Sequence, residues 1–177
     1  MSLDLLKLLL SRPLVVFDTE TTGFYYDRGD EIIELAAEKL VGRDIVATFQ
    51  AIIRPNRAVP PEVTAIHGLT DEYIQAHGES PHDVYPRFAG FMGNAVLVGH
   101  NIRRFDLPFL TYHFDREGLP APTNDVIDTL ELSRAMLKLP NHKLGTVAAH
   151  LGISTAGAHR AAADVAMTRQ VLLRLIE

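Results

Sequence analysis

The stretch VVFDTETTG, residues 15–23, decides the fold and contains the first two residues of a candidate site. Residues 14–19 form an apolar, β-branched run that is typical of a central strand in a buried sheet. Asp18 and Glu20 are two positions apart, so the strand period of two places both side chains on one face. Acids in an apolar strand cost free energy unless they are paired or bind a metal. Taken alone, the pair would be interpreted as a turn-capping Asp18 and a solvent-exposed Glu20, but the TTG that follows and two distant segments favour metal ligands.

Two later segments add three candidates: GHNIRRFDLPFL, residues 99–110, contains Asp106, and AHRAAADVA, residues 158–166, contains His159 and Asp164. Taken singly, Asp106 would be interpreted as a helix N-cap and Asp164 as an exposed acid near a helix start. If the fold brings all four carboxylates together, they repel one another and are held best by hard divalent cations. Two such cations and a histidine base make a phosphodiester hydrolase.

His159 precedes Asp164 by five residues, which on a continuous helix would turn the two about 140° apart. We therefore expect His159 in the loop before the helix, where its side chain can reach over the site. Histidine gains and loses a proton near neutral pH, so it can take a proton from an attacking water. An ordinary surface histidine is the alternative. Zinc-type spacing is absent from the remaining histidines considered, which are His67, His77, His82, His113, His142 and His150.

Composition indicates one globular domain over residues 1–177, with a short helical extension over residues 1–12. The sequence has no cysteine, which excludes disulfides and thiolate metal sites. No apolar run approaches the roughly 20 residues of a membrane span, and the N-terminal segment lacks a signal peptide's basic region, so we expect a cytoplasmic protein. The formal charge of −5 disfavours a protein that coats long duplexes, but it allows an enzyme that grips a few nucleotides.

The order of predicted elements indicates an α/β architecture, in which a mixed sheet is flanked by helices. An antiparallel meander comes first, although its second segment could be helix or strand, and later strands return through helices. Strands are predicted at 14–19, 31–40, 44–54, 95–98 and 126–129. One short helix is predicted to begin at residue 70, and another to follow the last strand and end at about residue 139. The remaining helices are predicted at 81–91, 106–117, 144–151 and 160–176.

These segments, in this order, resemble the DnaQ-like family of 3′–5′ exonucleases, called DEDDh for its four acids and histidine. Within the family, the chain is most similar to the proofreading epsilon subunits of bacterial DNA polymerase III. The match runs from about residue 15 to residue 173. Secondary signatures also fit: DEIIEL at residue 30, IHGLT at 66, VIDTLELSR at 126 and HKLGTVAAHLGI at 142.

The resemblance implies an RNase H-like fold with a five-stranded mixed sheet flanked by helices. It implies two divalent cations, Mg²⁺ or Mn²⁺, bridged by Asp18, with His159 as general base. Glu20, Asp106 and Asp164 would complete the ligand set. Thr21, Ile66, His67 and Phe105 would lie near the terminal nucleotide, and Phe24, Tyr25 and Tyr26 either stack on a base or pack a surface loop.

The function implied by the resemblance is metal-dependent hydrolysis of single-stranded DNA from its 3′ end to nucleoside 5′-monophosphates, in proofreading or repair. A DNA polymerase subunit is a candidate partner. No segment resembling the polymerase-tethering or clamp-binding extension of the replicative subunit follows the motifs, so a replicative subunit and a stand-alone enzyme both stay open. The alternatives are an RNA-trimming enzyme like RNase T or oligoribonuclease, a non-catalytic scaffold, and an unrelated metal-binding domain.

Overall fold

The computed structural model describes residues 6–7 and 10–177. The N-terminal extension expected over residues 1–12 lies largely outside the described residues. Within them, the chain forms a five-stranded mixed sheet in the order β3-β2-β1-β4-β5. The strands are β1 Leu14–Thr21, β2 Ile32–Val41, β3 Asp44–Ile52, β4 Val96–Gly99 and β5 Val126–Asp128.

Strand β1 lies at the centre of the sheet, antiparallel to β2 and parallel to β4. Strand β3 pairs antiparallel with β2 at one edge, and β5 pairs parallel with β4 at the other. The segment that could have been helix or strand is therefore a strand. It lies between two strands with its first six residues buried, which suits its apolar composition.

Helices cover both faces of the sheet, and a 3₁₀ turn over Tyr26–Arg28 follows β1. Among the described residues, no helix is long and apolar enough to cross a membrane. The helices are α1 Pro61–His67, α2 Asp71–His77, α3 Pro81–Met92, α4 Asp106–Arg116, α5 Thr129–Met136, α6 Leu144–His150 and α7 Ala161–Leu175.

Helix α1 was not among the predicted elements. The pair Pro60-Pro61 was taken only to forbid a new strand, yet Pro61 is the first residue of this helix. Its missing N–H costs nothing there, because the first N–H groups of a helix have no internal partner. Gly68, with φ of 74°, ends the helix in the left-handed conformation that glycine adopts readily.

Apolar side chains form a core on each face of the sheet. On one face, Leu14 and Val16 pack in a cluster with Val165 of α7. On the other, Val15 and Phe17 pack in a cluster that contains buried residues of α3 and α4. The odd and even positions of β1 therefore face different helices, and positions 18 and 20 continue the face that α7 covers.

Candidate active site

A cluster of carboxylates lies at the end of β1, beside the first turn of α7. Asp18 and Glu20 extend from the strand, and Asp164 comes from the first turn of the helix. One carboxylate oxygen from each of the three lies within 4.8 Å of the other two. The strand period thus correctly predicted that Asp18 and Glu20 share a face, and the fold adds Asp164 to them.

Asp106 approaches the cluster from the other face of the sheet. It is the first residue of α4 and is only 3% exposed. Its Oδ1 accepts hydrogen bonds from Thr19 N at 3.1 Å and Thr19 Oγ1 at 2.7 Å. Within the described residues, Asp106 is not one of the three acids whose oxygens converge within 4.8 Å. It is nevertheless near enough to Asp18 for its charge to be the next largest influence, after burial, on the pKa of Asp18.

Burial and neighbouring negative charge hinder the ionisation of the four acids. Burial, followed by repulsion from Asp106, Asp164 and Glu20, raises the pKa of Asp18 well above its usual range. Burial and the charge of Asp164 raise the pKa of Glu20 to about 8. Burial also raises the pKa of Asp106 to about 6, although the hydrogen bonds from Thr19 oppose the shift.

The donor set fits hard divalent cations. Mg²⁺ and Mn²⁺ take carboxylate oxygens as ligands, and a cation between these acids removes the repulsion that raises their pKa values. The three converging acids Asp18, Glu20 and Asp164 could hold such an ion, and the adjacent Asp106 could contribute to a second.

His159 lies in the loop that leads into α7, as the sequence analysis expected. Its side chain is exposed, and its backbone has a positive φ of 68°. Its backbone N–H donates to Oδ2 of Asp164 at 3.2 Å. The loop therefore attaches directly to one of the clustered acids and carries the imidazole at the rim of the site.

The four expected substrate contacts line a single cavity next to Glu20. The cavity has a volume of about 170 Å³. Its lining comprises Thr19, Glu20, Thr21, Gly23, Phe24, Val63, Ile66, His67 and Phe105. The structure thus brings Thr21, Ile66, His67 and Phe105 together although they come from three separate segments of the chain.

His67 presents an unused hydrogen-bond donor in this region. Its Nδ1 accepts from the backbone N–H of Leu69 at 3.0 Å, so in the neutral ring the proton is on Nε2. Nε2 is buried and has no hydrogen-bond partner among the described residues. Burial lowers the pKa of His67, which favours this neutral form. A buried donor without a partner favours a ligand that supplies an acceptor.

A larger groove of about 720 Å³ contains His159. Phe24 and Phe105 line both this groove and the cavity, with their ring centroids 6.3 Å apart. Two exposed cations, Arg134 and Lys143, also line the groove. A charged ligand that reaches His159 would therefore pass between the aromatic pair and a basic rim.

The three aromatic residues after the first motif differ in their surroundings. Phe24 is 69% exposed and stands at the cavity mouth, where it can stack on a base. Tyr25 is also exposed, beneath the guanidinium of Arg28. Tyr26 instead packs against the rings of Phe109 and Tyr112, which fits the surface-loop interpretation.

Asp128 organises the approach to Asp106, and the sequence analysis gave it no role. It is 4% exposed and ends β5. Its carboxylate accepts from the backbone N–H groups of Asn101, Arg103 and Leu130, so it caps α5 and also fixes the loop before α4. An aspartate between an apolar strand and a helix is a capping signal that could have found it.

Glu34 was likewise unassigned, although it lies within the quoted signature DEIIEL. It is fully buried on β2, directly opposite Glu20 of β1. Its side chain pairs with Arg160 of the loop that carries His159. The available signal was a glutamate inside an apolar strand, the same signal that identified Asp18.

The chain superposes closely on solved exonucleases of RNase H-like fold. A crystal structure of Escherichia coli exonuclease I in complex with a dT13 oligonucleotide matches with a TM-score of 0.85, covering 93% of this chain and 41% of that one, at 22% identity. A zinc-bound complex of the same enzyme with single-stranded DNA matches with a TM-score of 0.85 at 21% identity, covering 94% of this chain and 40% of that one. The expected fold is confirmed.

Sequence comparison then gives the family. The exonuclease family model named RNase_T matches residues 15–172, and the chain belongs to this DnaQ-like family. A DNA polymerase III of PolC type from Oceanobacillus iheyensis is 40% identical over 166 residues, which cover 92% of this chain and 11% of the polymerase. The chain thus spans about one ninth of the length of this relative. The expected relation to DNA polymerase III is confirmed.

Proposed function

We propose that residues 1–177 form a single exonuclease domain that hydrolyses single-stranded DNA from its 3′ end to nucleoside 5′-monophosphates, using two divalent cations. The observation that carries this proposal is the convergence of Asp18, Glu20 and Asp164 within 4.8 Å, in a chain of the exonuclease family. Relatives named as DNA polymerases support DNA over RNA as the substrate and proofreading or repair as the role. The proposed partner is a DNA polymerase subunit, and the proposed location is the cytoplasm.

The four acids and the histidine of the site have different tasks. Asp18, Glu20, Asp106 and Asp164 would hold Mg²⁺ or Mn²⁺. Cations held there would supply positive charge to offset the charge of the scissile phosphate and of the attacking and leaving oxygens. His159 accepts the proton of the attacking water, because its loop carries the imidazole at the rim of the cluster.

The two cavities give a path for the strand. The terminal nucleotide enters the cavity beside Glu20, where the Nε2–H of His67 donates to its sugar or phosphate. The preceding nucleotides follow the groove that contains His159, with Arg134 and Lys143 near their phosphates. This arrangement suits a single strand, because aromatic side chains at the cavity mouth offer stacking surfaces to unpaired bases.

The first prediction is tested with 5′-labelled single-stranded DNA and RNA of matched sequence. The wild-type protein should shorten DNA from the 3′ end in Mg²⁺ or Mn²⁺ and not in EDTA. Asp18→Ala should abolish cleavage, because the cation site loses a ligand. His159→Ala should lower kcat by roughly 10²–10⁴-fold, the usual contribution of a general base.

Three outcomes would contradict parts of the proposal. Near-native turnover by Asp18→Ala would exclude the two-metal assignment. Preferential shortening of RNA would make the chain an RNA-trimming enzyme, as the first alternative holds. The third outcome is a protein that is folded by circular dichroism and binds DNA or RNA in a metal-dependent way but cleaves neither. It would indicate a non-catalytic scaffold.

A further inference from the structure

An ion pair between the partly exposed Arg160 and the fully buried Glu34 ties the loop of His159 to the sheet. Arg160 Nε donates to Glu34 Oε2 at 3.1 Å, and Arg160 Nη2 donates to Glu34 Oε1 at 3.0 Å. The same Oε2 accepts from the backbone N–H of Ala161, the first residue of α7, at 3.2 Å. Gln50 of β3 also donates to Oε1, at 3.3 Å. One fully buried carboxylate thus joins two strands, a loop and the start of a helix.

The loop has a reason to need this attachment. His159 has a φ of 68°, in the left-handed region that residues other than glycine adopt uncommonly and at a cost in free energy. Its own N–H is held by Asp164, and the next residue is held by Glu34. The two attachments lie on either side of the strained dihedral, so together they determine the direction in which the imidazole leaves the backbone.

We infer that Glu34 and Arg160 are positioning residues, which hold His159 in the orientation needed to take a proton over the carboxylate cluster. This inference rests on the proposed function of His159. The planar guanidinium suits the task because it makes two parallel bonds to a carboxylate, which fixes its direction as well as its distance. Neither residue touches the reacting atoms in this proposal; both act through His159.

The test begins with Arg160→Gln. Misplacing a catalytic group by about 1 Å can cost up to about 10²-fold in rate, so we expect kcat on single-stranded DNA to fall by about 10- to 100-fold, with little change in KM. In a His159→Ala background the same substitution should cost less than about twofold, because the group it positions is gone. An equal loss in both backgrounds would overturn the inference.

The chain supplies a matched control in a second ion pair, which joins β2 to α7 itself. Arg169 of α7 pairs with Glu38 of β2, Nε to Oε2, at 2.6 Å. Arg169→Gln removes a comparable pair away from the loop and should leave kcat unchanged. A similar drop in kcat for Arg169→Gln and Arg160→Gln would show that both act only through general stability, contrary to the inference.

Two further variants separate positioning from charge. Arg160→Gln leaves the Glu34 carboxylate unpaired beside Glu20, which would change cation affinity by itself. Glu34→Gln combined with Arg160→Gln removes that charge while keeping an acceptor for Ala161. Positioning predicts that kcat stays low in the double variant at saturating Mn²⁺, whereas recovery to the wild-type rate would contradict it. Arg160→Lys should keep only part of the wild-type kcat, because the ammonium group of lysine cannot make the two parallel bonds of a guanidinium.

A readout independent of activity distinguishes this inference from the proposed function. Amide hydrogen exchange of residues 158–161 should speed up in Arg160→Gln and not in Arg169→Gln. If the wild-type protein cleaves neither strand, the proposed function fails on its own, and exchange still tests the attachment of the loop. Unchanged exchange in Arg160→Gln would refute the attachment whatever the activity.

Discussion

At the scale of single residues, Thr19 shows how a neutral side chain tunes a charged one. Its N–H and hydroxyl both donate to the same oxygen of Asp106, which favours the ionised carboxylate that burial disfavours. The two influences set the pKa of Asp106 at about 6, just below neutral pH. Asp106 is therefore largely ionised at neutral pH before any cation binds.

Replacing Thr19 by valine should raise that pKa further, because one donor is lost while the shape is kept. A raised pKa means that Asp106 stays protonated to higher pH, so the acidic limb of the pH–rate profile should move upward. Losing one hydrogen bond to a charged group, about 1.5–3 kcal/mol, should raise the pKa by about one to two units, so we expect a roughly 2- to 15-fold lower rate at pH 7 and recovery at higher pH. The measurement is the pH–rate profile of DNA cleavage by Thr19→Val and by the wild-type protein.

Thr168→Val provides the control. The hydroxyl of Thr168 is buried in α7 and has no hydrogen-bond partner among the described residues. Valine there should leave the pH–rate profile unchanged. An identical shift of both profiles would show that the effect of Thr19→Val does not pass through Asp106.

How far the site could be predicted depends on whether the relevant contacts are local. The period of a strand put Asp18 and Glu20 on one face, and the angular separation along a helix placed His159 in a loop. By contrast, the hydrogen bonds from Thr19 to Asp106 join β1 to α4. The ion pair between Glu34 and Arg160 joins β2 to the loop before α7. Such contacts depend on how elements dock, which periodicity within one element does not encode.

At the scale of elements, the end of β4 is closely packed against the loop that follows it. A Cβ added at Gly99 would lie 2.7 Å from Cβ of Ile102, whose side chain is fully buried. Because a Cβ atom cannot rotate away, the backbone between the two residues must shift. This backbone leads into Asp106, so glycine at position 99 serves both the strand and the site.

Gly99→Ala should therefore destabilise the protein by about 1–3 kcal/mol, the usual cost of overpacking a core. The free energy of unfolding in urea measures the loss. Gly90→Ala in α3 is the matched control, because nothing lies within 4 Å of its added Cβ. That variant should be more stable than the wild type by about 0.5–1 kcal/mol, since alanine is preferred over glycine within a helix. Equal effects in the two variants would contradict the packing argument.

Most elements were predictable because their signals are local. Thr70 accepts from Tyr73 N and Ser80 accepts from His82 N, and these capping residues gave correct starts for α2 and α3. Helix α1 was missed because its seven residues are too few to show an apolar stripe and because Pro60 before it supplies no side-chain cap. The resemblance to the exonuclease family implied a five-stranded mixed sheet, but the order of its strands could not be read from periodicity and was given by the structure.

At the scale of the whole molecule, the carboxylate cluster makes stability depend on pH and on cations. Acids whose pKa is raised by folding bind protons more tightly in the folded state than in the unfolded state. Stability is then greatest below the unfolded pKa and is lost as pH rises towards the folded pKa. For Glu20 this window extends from about 4.5 to about 8.

In EDTA, the melting temperature should therefore fall as the pH is raised from about 5.5 to about 8. Each unit of pKa difference corresponds to about 1.4 kcal/mol, which solvent screening will reduce at this partly exposed group. Saturating Mn²⁺ should diminish the fall, because cations bind the ionised cluster of the folded state. Glu20→Gln should also diminish it. Equal pH dependence with and without Mn²⁺ would show that the cluster does not bind the ion.

The position of Asp18 and Glu20 on the first strand, and of Asp164 on the last helix, has a consequence for biosynthesis. A ribosome makes β1 before α7, so the cation site has no complete ligand set until α7 has been translated. The contacts between α7 and β1 join residues far apart in sequence, so they form only against the entropy cost of closing a long loop. Every nascent or prematurely terminated chain that stops before α7 therefore lacks the assembled cluster and cannot bind cations there.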